Sequence, residues 1–219
     1  MGSNNHQPPS LDGRPAPRLY LVAPSEADIP VLAAEISAVA EAADVAAVLL
    51  QLPDADERAQ TNRIKSLAPA IQKSGAAAIV EGHPEIAARA GADGVHLAGT
   101  EALAQALPAL KPARIAGAGG LRTRHDAMVA AESGADYVMF GEPQDGRRPS
   151  FEAVLDRVAW WAEVFEIPCV AYAEHITEIE PLCAAGADFI AIGKAAFDDP
   201  HALAAAMNAA AQALAKSPA

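Results

Sequence analysis

The segment Gly193-Lys194-Ala195-Ala196-Phe197 combines three features that suit an anionic ligand. Gly193 lets a ligand come close to the backbone. Lys194 adds a full positive charge. The residues after it can form a short helix ahead of Asp199-Pro200, whose free N–H groups would face the same point and favour a phosphate. The alternative is a tight turn carrying a solvated lysine. Arg147 and Arg148 form a second cationic pair, in a polar loop that contains Gly146. They could clamp another anionic group when that loop closes, or simply face solvent. Glu142 follows Phe140-Gly141 at the end of an apolar run. Partial burial there would raise its pKa and suit it to general acid–base work; a structural salt bridge is the other reading.

Glu81, His83, Glu85 and Glu101 are acidic and histidine residues that could hold a divalent ion. Glu81 and Glu101 follow neighbouring apolar runs and could bridge one ion, though the spacing is generic. His96 lies inside an apolar run and reads as a packed, hydrogen-bonded histidine. At least one of Trp160 and Trp161, on a helical stretch, should pack against the core, and Met128, Met139 and Met207 read as core fillers.

These residues have to be positioned by an alternating pattern. Apolar β-type runs occur at Leu19–Ala23, Val45–Gln51, Ala76–Val80, Gly94–Leu97, Ala113–Gly117, Asp136–Phe140, Ile167–Tyr172 and Asp188–Ile192. Helical spacing occupies 26–42, 55–74, 84–90, 100–109, 124–133, 150–165, 177–185 and 200–215. Continuous apolar runs suit strands buried on both faces, and the intervening helices suit βαβ crossovers. Eight such units favour closure into a (β/α)8 TIM barrel. A doubly wound sheet would open with a Gly-rich turn, whereas the first turn here is Ala23-Pro24-Ser25-Glu26. Gly91-Ala92-Asp93, Gly134-Ala135-Asp136 and Gly186-Ala187-Asp188 repeat at helix-to-strand junctions, with Ser74-Gly75-Ala76 as a weaker copy. Glycine there stops the helix, so these repeats belong to the stability of the N-terminal rim. Function belongs at the opposite rim, where strands end.

The bulk composition narrows the partners. Apolar residues make up 52% of the 219, and the net charge is 16 − 28 = −12. That acidity argues against a nucleic-acid partner but leaves room for a local cationic pocket. No stretch reaches the roughly 18 apolar residues of a membrane span. Residues 1–18 are polar and Pro-rich and read as a disordered tail ahead of a single barrel domain over 19–219. Cys169 and Cys183 read as buried thiols, which with the absence of a secretory signal suits the cytoplasm.

From Val48 to Leu203 the chain resembles the thiamine phosphate synthases and their relatives, the thiazole tautomerases. The matching motifs are Leu50-Gln51-Leu52, Ile79-Val80, Gly91-Ala92-Asp93-Gly94-Val95-His96-Leu97 and Ile115-Ala116-Gly117. Gly134-Ala135-Asp136-Tyr137 with Gly141, Ile167-Pro168-Cys169-Val170-Ala171 and Gly186-Ala187-Asp188 follow in order. The resemblance implies a (β/α)8 barrel, often a homodimer. It also implies a synthase that joins hydroxymethylpyrimidine pyrophosphate to a thiazole phosphate, with Mg2+ on the pyrophosphate. The reaction is dissociative: a pyrimidine cation forms as pyrophosphate leaves, so clamps matter more than a nucleophile.

Set against the family pattern, this chain has Pro53 and Ala55 where the synthases carry an arginine and a lysine, and Glu81-Gly82 in place of Asn-Asp. Glu101 stands at the second metal aspartate. Gly119 replaces a serine, Gln144 to Pro149 replaces a Thr-rich loop ending in lysine, Ala173-Glu174-His175 replaces a Gly-Gly pair, and Lys194 replaces a serine. Glu142 occupies the position of the tautomerases' proton-transferring histidine.

The expected catalytic residues are then Glu142, Arg147 and Arg148. Gln51, Gly119, Gly141, His175, Gly193 and Lys194 are expected to bind a small phosphorylated substrate, and Glu81 and Glu101 to hold Mg2+. A phosphate-ligand isomerase built on Glu142 and a non-catalytic phosphate-binding barrel remain the alternatives.

Overall fold

Aliphatic runs too short for helices become the staves of a barrel in the computed structural model, which describes residues 15–144 and 146–216. The strands are β1 (Arg18–Ala23), β2 (Val45–Leu50), β3 (Ala77–Glu81), β4 (Gly94–Ala98), β5 (Ile115–Gly119), β6 (Tyr137–Phe140), β7 (Cys169–Ala173) and β8 (Phe189–Ile192). The helices are α1 (Ile29–Ala42), α2 (Glu57–Lys73), α3 (Pro84–Ala90), α4 (Thr100–Leu110), α5 (Arg124–Ser133), α6 (Phe151–Val164), α7 (Ile179–Ala184), α8 (Lys194–Asp198) and α9 (Pro200–Lys216). The strands pair in parallel in chain order, and β8 closes onto β1. The chain is thus the expected (β/α)8 barrel.

Strand alternation sorts the core into two layers. Tyr20, Ala47, Leu49, Ile79, Tyr137, Met139, Val170 and Ala191 fill the barrel interior. Their neighbours along each strand, such as Leu19, Leu21, Val48, Leu50, Val80 and Ile190, pack outward against helix residues including Leu32, Ile64, Leu67, Leu103 and Trp161. Trp161 is fully buried and donates its indole N–H to the Ile167 carbonyl at 2.7 Å, so it is the tryptophan that packs on the barrel. Helices α1, α2, α5 and α6 begin on side-chain caps from Asp28, Asp56, Thr123 and Ser150, each worth about 1 kcal/mol.

The Gly-Ala-Asp repeats do more than stop helices. Gly91, Gly134 and Gly186 take φ of 80°, 105° and 100°. The aspartate that follows then ties the new strand to the previous one. Asp93, Asp136 and Asp188 accept from the backbone N–H of Ala78, Ala116 and Cys169 at 2.7–2.8 Å. Each also donates its own N–H to the carbonyl of that same residue. These contacts lie at the N-terminal rim, away from the strand ends that form the mouth.

Several boundaries differ from the sequence expectation by one or two residues. β5 runs two residues later than Ala113–Gly117, because pairing rather than composition locates an Ala/Gly-rich strand: Gly94 lies opposite Ile115 and Ala98 opposite Gly119. Gly119 is therefore the last strand residue rather than part of a loop. Glu81 likewise ends β3. Arg18 belongs to β1, where its guanidinium pairs with Asp44 at 2.8 Å; of the proposed tail, residues 1–14 lie outside those described. The short helix foreseen after Gly193 is α8.

Candidate active site

Positions of one parity point into the barrel, and at the C-terminal end of the strands they form its mouth. On β5 the two inward positions nearest the mouth are glycines. A Cβ at Gly117 would collide with the Tyr137 ring, and a Cβ at Gly119 would collide with Glu142 Oε1 and His96 Nε2. Removing two side chains from one strand lets a histidine from β4, a tyrosine from β6 and a glutamate beyond β6 converge. His96, 4% exposed, stacks on Tyr137 with ring centroids 5.7 Å apart. Its Nδ1 lies 3.0 Å from the Tyr137 hydroxyl, which in turn lies 2.7 Å from the Tyr20 hydroxyl. The expectation of a packed, hydrogen-bonded His96 is met.

Glu142 sits above this group, with Gly120 N–H donating to its Oε1. Burial raises the Glu142 pKa above its ordinary value. The N–H groups of Gly120 and Glu142 itself and the charge of Arg157 oppose that rise, and the charge of Glu81 adds to it. Arg157 is anchored on α6 by donating to the carbonyls of Leu121 and Arg122 at 2.7 and 3.0 Å. Glu81 is exposed at the end of β3, in register with His96. Burial pushes the His96 pKa down to about 4, so a neutral imidazole and a carboxyl of raised pKa share the floor of the mouth.

The cations on the opposite side are not free in the way their residue types suggest. Arg148 donates to Glu178 at 2.8 and 2.9 Å, to Glu174 at 3.2 Å, and to the carbonyls of Tyr172 and Gly141 at 2.8 and 3.3 Å. The guanidinium is a brace, 13% exposed, that ties the β6–α6 loop to the β7–α7 connection. Burial works against the charge on Glu178, yet the Arg148 hydrogen bond outweighs it and holds that carboxyl below its ordinary range. Arg147 remains exposed, and its backbone pairs with that of Gln144 at 2.8 and 2.9 Å. Lys194 opens α8 after Gly193, is 84% exposed and pairs with Asp198. His175 is exposed just beyond β7, Gln51 is half-buried just beyond β2, and Gly141 is buried just beyond β6.

The metal expectation does not fit as a resident site. Among the described residues no group of three or more His, Cys, Asp or Glu side chains could hold an ion. Glu101 lies in the first turn of α4, where its carboxylate accepts from Gln105 at 3.3 Å. Two carboxylates on separate elements provide no protein cage. Sequence reasoning also missed Glu178 as the partner of Arg148 and Tyr20 as a member of the buried chain. The even spacing Gly94-x-His96 and Gly117-x-Gly119 was the available signal for the floor of the mouth.

A family model described as thiamine monophosphate synthase matches residues 19–196. A thiamine-phosphate synthase of Rhodospirillum centenum is 37% identical over 199 residues, covering 87% of this chain and 94% of that protein. A thiamine-phosphate synthase of Hyphomonas neptunium is 32% identical, covering 90% and 93%. Among solved structures, a thiamine phosphate pyrophosphorylase from Pyrococcus furiosus superposes with a TM-score of 0.70 at 20% identity, covering 88% of this chain and 96% of that one. A dihydropteroate synthase from Coxiella burnetii superposes with a TM-score of 0.68 at 11% identity, covering 92% and 95%. These last two likenesses concern the fold. No helix among the described residues is long and apolar enough to cross a membrane.

Proposed function

This chain belongs to the thiamine monophosphate synthase family, and we propose that it joins a hydroxymethylpyrimidine pyrophosphate to a thiazole phosphate at the C-terminal mouth of its barrel. The observation that carries this reading is the family match over residues 19–196, which spans all eight strands and the mouth they form.

In this reaction the bond between the pyrimidine methylene and pyrophosphate oxygen breaks, its electron pair leaves with pyrophosphate, and the thiazole nitrogen forms the new bond to the methylene. The protein then has two tasks. It must favour positive charge on the pyrimidine and negative charge on the departing pyrophosphate. The carboxylates of Glu81 and Glu142 supply negative potential on the β3–β6 side. Gly193, Lys194 and Arg147 supply N–H groups and cations for phosphate oxygens. The Lys194–Asp198 pair is exposed and worth only a few tenths of a kcal/mol, about 0.3–0.5, so a phosphate can compete for the lysine. Gln51, Gly119, Gly141 and His175 border the same opening as substrate contacts. Magnesium belongs to this proposal as the counter-ion that accompanies a pyrophosphate substrate, which needs few protein ligands.

The test is a product assay with both substrates and Mg2+. Formation of thiamine phosphate and pyrophosphate in equal amounts is the expected result. Binding of the thiazole phosphate without product would replace this reading with a non-catalytic barrel. A cytoplasmic homodimer completes the proposal, and light scattering on the purified protein checks the dimer.

A further inference from the structure

A cavity of about 440 Å3 opens between the start of α2 and the β3–α3 loop, a volume within the roughly 300–1,000 Å3 of small-molecule sites. Glu57 and Gln60 reach it from α2, and Pro84, Glu85 and Ile86 from α3, with the exposed His83 at its edge. Gly82 also lines it, and a Cβ there would meet nothing within 4 Å, so that wall is open. None of the residues proposed to contact the substrates lines this cavity.

Gln60 is its deep polar group. The residue is only 9% exposed, although glutamine is ordinarily a surface residue. Its Nε2 donates to the Pro53 carbonyl at 2.9 Å, which leaves Oε1 as the acceptor it offers to the cavity. Oε1 makes no hydrogen bond among the described residues. An acceptor held this deep gains most from an N–H that a ligand brings with it. The rim is acidic. Glu57 is met by Arg89 of α3, and both side chains of that pair are more than half exposed, so a competing cation displaces it readily. One arginine cannot neutralise two carboxylates, so Glu85 leaves the lining with excess negative charge. Pro84 and Ile86 add an apolar wall, Ile86 being 5% exposed.

We propose that this cavity binds a small organic cation, an ammonium or guanidinium carried on a short aliphatic stem. The cationic N–H groups donate to Gln60 Oε1 and to the carboxylates of Glu57 and Glu85, while the stem lies on Pro84 and Ile86. A bare metal ion fits less well, because the described residues provide no group of three or more His, Cys, Asp or Glu side chains that could hold one. An anion would face both carboxylates. The site is separate from the barrel mouth, and its ligand need take no part in the reaction there.

Agmatine, which carries a guanidinium and an ammonium on one aliphatic stem, is the probe. Calorimetric titration of the full chain at constant ionic strength should give saturable binding with a Kd of about 1 mM or below. In protein with nitrogen-labelled glutamine, the Gln60 side-chain amide resonance should move along the same curve, and sodium chloride at matched ionic strength should not move it. Glu85→Gln should weaken binding about fivefold and Gln60→Leu about tenfold, with melting curves to check folding. If Gln60→Leu does not fold, Glu85→Gln and the Gln60 resonance decide. Absence of saturable heat, a Gln60 resonance that stays in place at saturation, or equal binding by wild type and Glu85→Gln overturns the proposal. Thiamine phosphate formation plays no part in these readouts, so failure of the synthase reading leaves them standing.

Discussion

The β4–β6 arc of the mouth and the β7–β8 arc both carry charged side chains, but tertiary contacts treat them differently. On the β7–β8 arc the charges cancel within the protein. Arg148 lies between Glu174 and Glu178, and Lys194 lies on Asp198. On the β4–β6 arc Glu142 is half-buried, with its carboxylate on the Gly120 N–H rather than on a cation. A charge matched by an internal partner holds loops together. A half-buried carboxyl without one has its pKa raised by desolvation, the direction that suits acid–base chemistry. One arc thus braces the mouth, and the other holds the carboxyl proposed as its reactive group.

The sharpest way to break this comparison is Glu142→Gln, which preserves shape and removes the proton exchange. Product formation should fall by about 100-fold or more, and an unchanged rate would remove Glu142 from the chemistry. The same variant has a stability signature. The Glu142 pKa is raised in the folded protein above its ordinary 4.5, so its contribution to stability is full below that value and is lost as pH rises through the folded pKa. Melting curves should therefore show Glu142→Gln above wild type at pH 7, with the gap closing below about pH 4.5.

Gly119→Ala tests the same arc through packing. The new methyl collides with Glu142 and His96, and overpacking of this kind costs about 1–3 kcal/mol, visible as a lower midpoint in urea. Arg148→Met tests the opposite arc. It removes charged hydrogen bonds to a carboxylate only 13% exposed and should cost about 2 kcal/mol. The Glu178 pKa is depressed by Arg148, so the stability it confers is present above its ordinary pKa of 4.5 and disappears as pH falls through the lower folded value. Arg148→Met should lose that acid limb. The smallest expected effect is Lys194→Ala, about 0.3–0.5 kcal/mol in stability. It should nevertheless raise KM for the phosphorylated substrates about tenfold, and an unchanged KM would place the phosphate away from α8.

Much of the fold was legible because strand and helix periods are local. Eight apolar runs and the Gly-Ala-Asp repeats marked the barrel, and Gly193 with its short helix marked one edge of the mouth. The candidate site was legible only as a set of residue types at strand ends. Sequence named Glu142 and Arg148 on equal terms, and spacing along the chain cannot distinguish a carboxyl buried over a glycine gap from a guanidinium met by a glutamate 30 residues away.

Periodicity and composition by themselves therefore determined the barrel and its rims, since these depend on which residues face inward along each strand, while the family came from the motif resemblance. Which charges remain available to a ligand was decided only when closure brought β4, β5 and β6 together at Gly119 and carried Glu178 to Arg148. Burial and pairing set a side chain's protonation and reach, and both arise between elements distant in sequence.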